Sequence, residues 1–508
     1  MSNELTGEII VDSVTIVNPE KEAIDIANIC SSINIYEGID QKFVSGRISV
    51  VDSLNILDEY KLHGQESVTI RYRVKRGTTD FSGGTEQVEK TFRIYKIDNI
   101  KNHKMITYSY VLRFIDPKYF SVNRTRVSRV KRGSYSEILL QTLQNDAQFD
   151  QLPSADQTDF WEESTPGNMQ FVCPNWTVKE VIDYIMQNAN IGTSAVYKNS
   201  MFFYGTLVGG YKFMSIDKML KELEFPLTFS FMPRQEDPDQ DKIDQDSERG
   251  LSTTILKYYI DKRANIMDGI FDGAFSSTLK TYDPIRKLEK TITFDLKKNF
   301  DEKGSKHLSG FPQVRLGVND ETRKAEPIMT TDEPITFNET ISDLPLNEDY
   351  NIGGKIRHKV NQTNAFSDSP KLQDQSQFIG NEYLDDSILE RSAMKHMLNT
   401  NVIYVTIPAR TDIFPGVVVN LSLPTGGVDS FDNMLNDGKY LVTQMHHQLS
   451  PLDSVGSIVL RCVKESFADK FENQQLLKEY KGARKPEVSG AMLAHRVVGK
   501  LLPGSGDE

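Results

Sequence analysis

The sequence predicts a mainly β protein of the α+β class. It has an antiparallel β region first, a mixed α+β middle, a second β region late in the chain and a C-terminal extension. Two observations carry this. Apolar and polar residues alternate in long runs before residue 118, and again within residues 402–463. Between them lie two capping boxes followed by apolar residues at helical spacing.

In the first region, Val44, Gly46, Ile48 and Val50 share one parity against Ser45, Arg47 and Ser49. Val68, Ile70, Tyr72 and Val74 alternate in the same way, as do Ile106, Tyr108, Tyr110, Leu112 and Phe114. With further strands at 8–17, 29–37 and 91–100, this region makes an antiparallel barrel or a sandwich. Between two of its strands, DSLNILDEYKLHG anchors on Leu54, Leu57 and Leu62, and Asp52 or Ser53 can cap a short helix. Asp58 and Glu59 are adjacent and diverge, so the acids here, Glu66 included, read as a solvated connection rather than a catalytic pair.

After Pro117, Ser134-x-x-Glu137 opens a helix with Tyr135, Ile138, Leu139 and Leu143 on one side. Thr177-x-x-Glu180 opens another, carrying Val178, Val181, Ile182, Ile185, Met186 and Ala189. A strand pair is expected at 194–204, turning at Lys198-Asn199-Ser200, with a strand at 211–213. Residues 234–249 form an acidic linker, and DDSILERSAMKHMLNT reads as a helix. VIYVTIPAR, GVVVNLSL, GKYLVTQMHHQL and SIVLRCV then supply the late strands.

At 508 residues the chain is long enough for about two to four domains. Its net charge of −12 argues against a dedicated nucleic-acid binder. MSNELTGEII lacks the features of a secretory signal, and no apolar run is long enough to span a membrane. Cys30, Cys173 and Cys462 are too far apart for a CxxC pair or a disulfide framework, which fits a reducing compartment.

No constellation carries chemistry. Asp237, Asp239, Asp241 and Glu248 match part of a calcium-loop spacing, but Lys242 stands where its glycine belongs. His446 and His447 are consecutive on a strand and point to opposite faces, so they cannot chelate one ion. Gly354-Lys355-Ile356 and Gly438-Lys439-Tyr440 lack the rest of a phosphate loop. Lys118, Arg124, Arg126, Arg129, Lys131 and Arg132 fall on both parities, which suits a solvated face or an acidic protein partner. No catalytic residue, cofactor or metal is expected.

INIYEGIDQKFVSGRISVVDSLNILDEYKLHGQESVTIRY resembles the opening domain of baseplate hub proteins of contractile-tailed phages. FRIYKIDNI, YVLRFIDPKYF, NWTVKEVIDYI, FFYGTLVGGYKFMSIDKML and GKYLVTQMHHQL continue the likeness in order, over residues 9–466. The resemblance implies two tail-tube-like antiparallel β-barrels in one chain. The first would span 1–118, followed by an α+β insert at 119–205. The second barrel would start at 206–232 and finish at 396–466, after the acidic and irregular stretch 233–395; residues 467–508 would form a C-terminal arm. It also implies a homotrimeric ring in the virion tail baseplate, assembled in the host cytoplasm without a membrane anchor. That ring would join the tail tube hexamer to the central spike trimer, beside baseplate wedge proteins. The tape-measure protein and DNA would pass through its channel unbound, past an acidic bore that repels phosphate.

Alternatives are the hub of a related contractile injection system and a tail-associated peptidoglycan hydrolase. In the arm, Met492, Leu493, Val497, Val498 and Leu501 form a run too short for its own core, and a partner interface is expected there, with the spike as the candidate partner.

Overall fold

Period-2 patterning builds the first region as predicted in the computed structural model. Its strands are β1 (Ile9–Val17), β2 (Ala23–Asp25), β3 (Cys30–Gly38), β4 (Ser45–Asp52), β5 (Ser67–Val74), β6 (Glu86–Lys104) and β7 (Thr107–Ile115). The structure describes residues 9–74, 86–104, 107–149, 160–162, 165, 169–189, 200–231, 253–262, 266–274, 276–283, 287–295, 307–309, 311–312, 355–360, 382–423 and 437–467. Val44, Ile48, Val50, Ile70, Phe92 and Phe114 turn inward into one core. Each such burial is worth roughly 1.5–3 kcal/mol. Gly46 is required where the aromatic packs closest: a Cβ there would sit 2.3 Å from the Phe114 ring and 2.4 Å from the Asn34 carbonyl oxygen.

The late strands are β8 (Glu224–Ser230), β9 (Lys257–Lys262), β10 (Asn401–Pro408), β11 (Val418–Ser422), β12 (Gly438–Ser450) and β13 (Val455–Lys464). Their inward residues, among them Phe229, Val405, Leu441, Leu460 and Cys462, make a second core. All these strands belong to a single 13-stranded sheet ordered β9-β10-β13-β12-β3-β4-β7-β6-β5-β1-β2, with β11 also on β12 and β8 on β11. The mainly β, α+β class holds. The described pairings run through both regions as one large sheet and close no barrel in either.

The reason lies in β12, whose 13 residues outrun any one neighbour. On one edge β13 follows it from Leu441 to Ser450. On the other, its first residues pair with β11, Tyr440 opposite Val419 and Leu441 opposite Val418. From Gln444 onward that edge pairs with β3, His446 opposite Tyr36 and Leu449 opposite Ile33. The partner changes at Thr443, whose carbonyl accepts the Ile39 N–H at 2.9 Å.

Both capping boxes form, Ser134 with Glu137 and Thr177 with Glu180. Their helices, Tyr135–Gln141 and Val178–Asn188, share a third core with Val122, Phe203 and Phe213. A hairpin pairs Met201–Gly205 with Tyr211–Ser215, and its turn takes Gly209 and Gly210 at positive φ. The turn expected at Lys198-Asn199 lies outside the described residues. Helix Glu382–Met397 reaches back to this insert. Its Arg391 donates to the Gln187 carbonyl at 2.8 Å and to that of Ala189. Those are orphan carbonyls at the end of helix Val178–Asn188, where a cation also suits the macrodipole.

Within 233–395, which the sequence marks as an acidic linker and irregular α+β stretch, Ser276–Asp283 pairs with Leu288–Asp295 and with Lys355–Val360. Among the described residues, no helix is long and apolar enough to cross a membrane.

Candidate functional site

Where the two β regions and the insert meet, one buried carboxylate holds all three. Glu37, near the end of β3, is 2% exposed. One of its oxygens lies 2.7 Å from His447 Nε2 on β12. The other accepts the Leu207 N–H, also at 2.7 Å, from the turn of the insert hairpin. Both oxygens thus have hydrogen-bonding partners, as buried polar groups require. Lys212, on the same hairpin, stacks its ammonium on the Phe414 ring at 4.2 Å. Burial pushes this amine down to about 8, against the pull of Glu37. Nearby, the Tyr204 hydroxyl donates to the Pro415 carbonyl at 2.9 Å. Gly416 follows at φ +95, and a Cβ there would come within 2.5 Å of that hydroxyl.

The histidine pair divides across β12 as strand geometry demands. While His447 enters the junction, His446 stacks on Tyr36 with ring centroids 4.4 Å apart and contacts the Asn34 side-chain oxygen at 2.9 Å. Burial first, then Arg47 and His447, pushes His446 down to about 4. Glu37 was not singled out from the sequence. Its available signal was a polar residue on the core parity of a strand, as His447 is on another; in register Glu37 faces Met445 and His447 faces Ile35.

The acids after β4 take two different roles. Asp58 and Glu59 are exposed, as a solvated connection requires. Asp52 and Glu66 are buried, which corrects the expectation for Glu66. Glu66 accepts the His63 and Gly64 N–H groups at 2.6 and 2.8 Å. Gly64 at φ +86 brings the chain round to that carboxylate. Asp52 accepts from Leu54 and from Leu57, the latter inside the short helix Ile56–Glu59. These carboxylates fold a loop and converge on no common pocket.

The basic cluster forms no stripe. Lys131 points inward to Asp146 at 2.6 Å, joined there by Arg129, while Arg124, Arg126 and Arg132 stay exposed. Lys118 lies over the Phe149 ring. Gly438 and Lys439 open β12, and Lys439 pairs with Glu224 of β8. The three cysteines are free and buried. Among the described residues, no group of three His, Cys, Asp or Glu side chains is placed to hold a metal. Asp237, Asp239, Asp241 and Glu248 lie outside those residues, as do Met492, Leu493, Val497, Val498 and Leu501.

No family model matches this chain, and no curated protein does. Among solved structures it is similar to the tail protein from Neisseria meningitidis MC58. That match has 11% identity over 89% of this chain and 96% of the other, with a TM-score of 0.45. It is also similar to the 43 kDa tail protein of prophage MuSo2 from Shewanella oneidensis, at 8% identity over 89% and 98%, TM-score 0.43. A further likeness is to an E. coli component of the type VI secretion system, which bears structural similarity to the T4 bacteriophage tail proteins gp27 and gp5. There the identity is 6% over 90% and 77%, with a TM-score of 0.37. The roles of those proteins are their own.

Proposed function

We propose that this chain is a structural baseplate hub of a contractile phage tail. Three copies form a ring that adapts the hexameric tail tube to the trimeric spike and lines the DNA channel. The observation that carries the reading is the tandem build: two β regions, each with its own core, fused through β12 into one sheet. Two such regions per chain give six around a threefold axis, which suits a hexamer on one side and a trimer on the other. The order of hub-like motifs from residue 9 to residue 466 supports the same assignment.

In this reading residues 1–118 and the combined 206–232 and 396–466 face the tube. The insert 119–205 and the stretch 233–395 pack outside, toward wedge proteins. The arm 467–508 reaches the spike through Met492, Leu493, Val497, Val498 and Leu501. The role is architectural and non-enzymatic, carried out in the virion tail after assembly in the host cytoplasm.

Light scattering on the purified chain at micromolar concentration, alone and with its spike, tests the ring. A trimer in either sample is expected; monomer or dimer in both defeats the proposal. Truncation at Gly482 should leave the melting of the body unchanged and weaken spike association. A truncated chain that binds the spike normally removes the arm from the proposal.

A further inference from the structure

The acidic balance of the chain predicts repulsion of phosphate, yet one face of the sheet has the opposite sign. On the solvent side of β4, β7 and β6, Arg47 stands opposite Arg113, and Arg113 stands opposite Lys96. Strands lie about 4.8 Å apart, so three cations occupy a row about 10 Å wide. Like charges directly opposite one another destabilise a sheet. Among the described residues a single carboxylate, Asp98, offsets them, meeting Arg113 at 2.7 Å and Lys96 at 3.0 Å. Among the described residues Arg47 has no ion pair, and it is exposed. The side chains of Arg113 and Lys96 remain 43% and 57% exposed beside their shared partner. Farther along β6, Lys101 joins the same face opposite Ser109. Elsewhere on this face Arg71 is paired by Glu89 and Arg73 by Asp12, while Arg93 of β6, opposite Ile115, is a further exposed cation. The surplus therefore runs along β6 and across β7 to β4.

We infer that this face binds the phosphate backbone of single-stranded nucleic acid, without reading its sequence. Screening in salt reaches only about 8–10 Å, so a strand on the face meets the cationic row and not the acids of the far surface. Nucleic acid fits better than an acidic protein because rings accompany the charge. Tyr36, stacked on His446, lies on the same face one pleat from Arg47, and Tyr95 beside Lys96 is 46% exposed. Cations tracking a backbone beside rings that accept bases are the usual makings of a sequence-tolerant single-strand site. The face carries this charge whether or not the chain forms a ring.

The test is fluorescence anisotropy of the full chain with a labelled oligonucleotide of ~30 nucleotides, titrated with salt upward from about 50 mM. Binding at micromolar protein is expected, weakening steeply as salt rises. The triple variant R47Q/R113Q/K96Q should bind at least about tenfold more weakly at low salt. Its log–log salt slope should be smaller by about 2. Its melting temperature should change little, because the lost pairing of Asp98 offsets the relieved repulsion. R71Q, which removes a cation already paired, should bind as the unaltered chain does. Binding unchanged in the triple variant, or no binding at low salt, overturns the inference. Polyglutamate competing as well as the oligonucleotide overturns it too, by making the partner an acidic protein.

Discussion

Glu37 and His447, 410 residues apart in sequence, meet at 2.7 Å in a site closed to water. The Leu207 N–H completes the arrangement, so the insert is locked to both β regions by the carboxylate that joins them. Glu37→Gln keeps the shape but turns an NH2 group toward one of two donors. Leaving a buried hydrogen-bonding group without its partner costs about 1–3 kcal/mol. Urea unfolding should show a loss of that order for E37Q and a comparable one for H447Q. A double mutant whose losses simply add, within about 0.5 kcal/mol, would show that the two groups are not coupled.

Glu66 and Glu59 should respond unequally to the same change. Glu66→Gln replaces an acceptor of backbone N–H groups from His63 and Gly64, and should cost about 1–3 kcal/mol. Glu59→Gln, on the exposed side of the connection, should stay within about 0.5 kcal/mol. Equal melting temperatures for the two variants would contradict the loop-folding role of Glu66.

Gly46→Ala places a methyl group against a ring and a carbonyl oxygen that no rotamer change can vacate. Overpacking of this kind costs roughly 1–3 kcal/mol, and this substitution should sit at the top of that range. Ser49→Ala, on the solvent side of the same strand, should change stability little. A fully stable G46A protein would mean that β4 and β7 can separate freely.

Alkaline pH should first stabilise the protein. Burial pushes Lys212 and Lys464 down to about 8 from an ordinary 10.5. Above pH 8 the folded chain has released protons that the unfolded chain still holds. Stability therefore rises, by at most about 1.4 kcal/mol per pH unit per lysine. Burial acts in the other direction on the thiols, pushing Cys30 up to about 12 and Cys462 higher still, from an ordinary 9.0. Above pH 9 these groups oppose the rise. Melting temperature should climb between pH 8 and 9 and then level off, and Lys212→Met should flatten the climb. A steady fall from pH 7 to 9 would contradict this.

Much of the framework was legible because alternation reports which face of a strand is buried. Val44, Ile48 and Val50 reach the core by that rule, and Ser134 and Thr177 cap their helices as spacing required. Alternation does not say which strand lies alongside. The switch of β12 from β11 to β3 was therefore invisible, and with it the merging of two expected barrels into one sheet. Leu288, Lys290, Ile292 and Phe294 do alternate with Glu289, Thr291 and Thr293, but the polar surroundings masked that strand. Glu66 read as solvated because two backbone N–H groups aimed at one carboxylate leave no trace in a residue pattern. The cationic row was hidden for a related reason. Arg47, Arg113 and Lys96 are scattered through the chain and become neighbours only through strand register.

Because β12 is shared, the two halves of the chain have an elastic seam in place of a swivel. Turning one half against the other would twist a continuous sheet, stretching the hydrogen bonds between Gly38 and Gln444 and those beyond them together. Torque applied at β1 would pass through β5, β6, β7, β4 and β3 before reaching β12 and β13, with no slack segment in that order of pairing. In such a continuous sheet, strain at one edge reaches the other only through the hydrogen bonds between neighbouring strands.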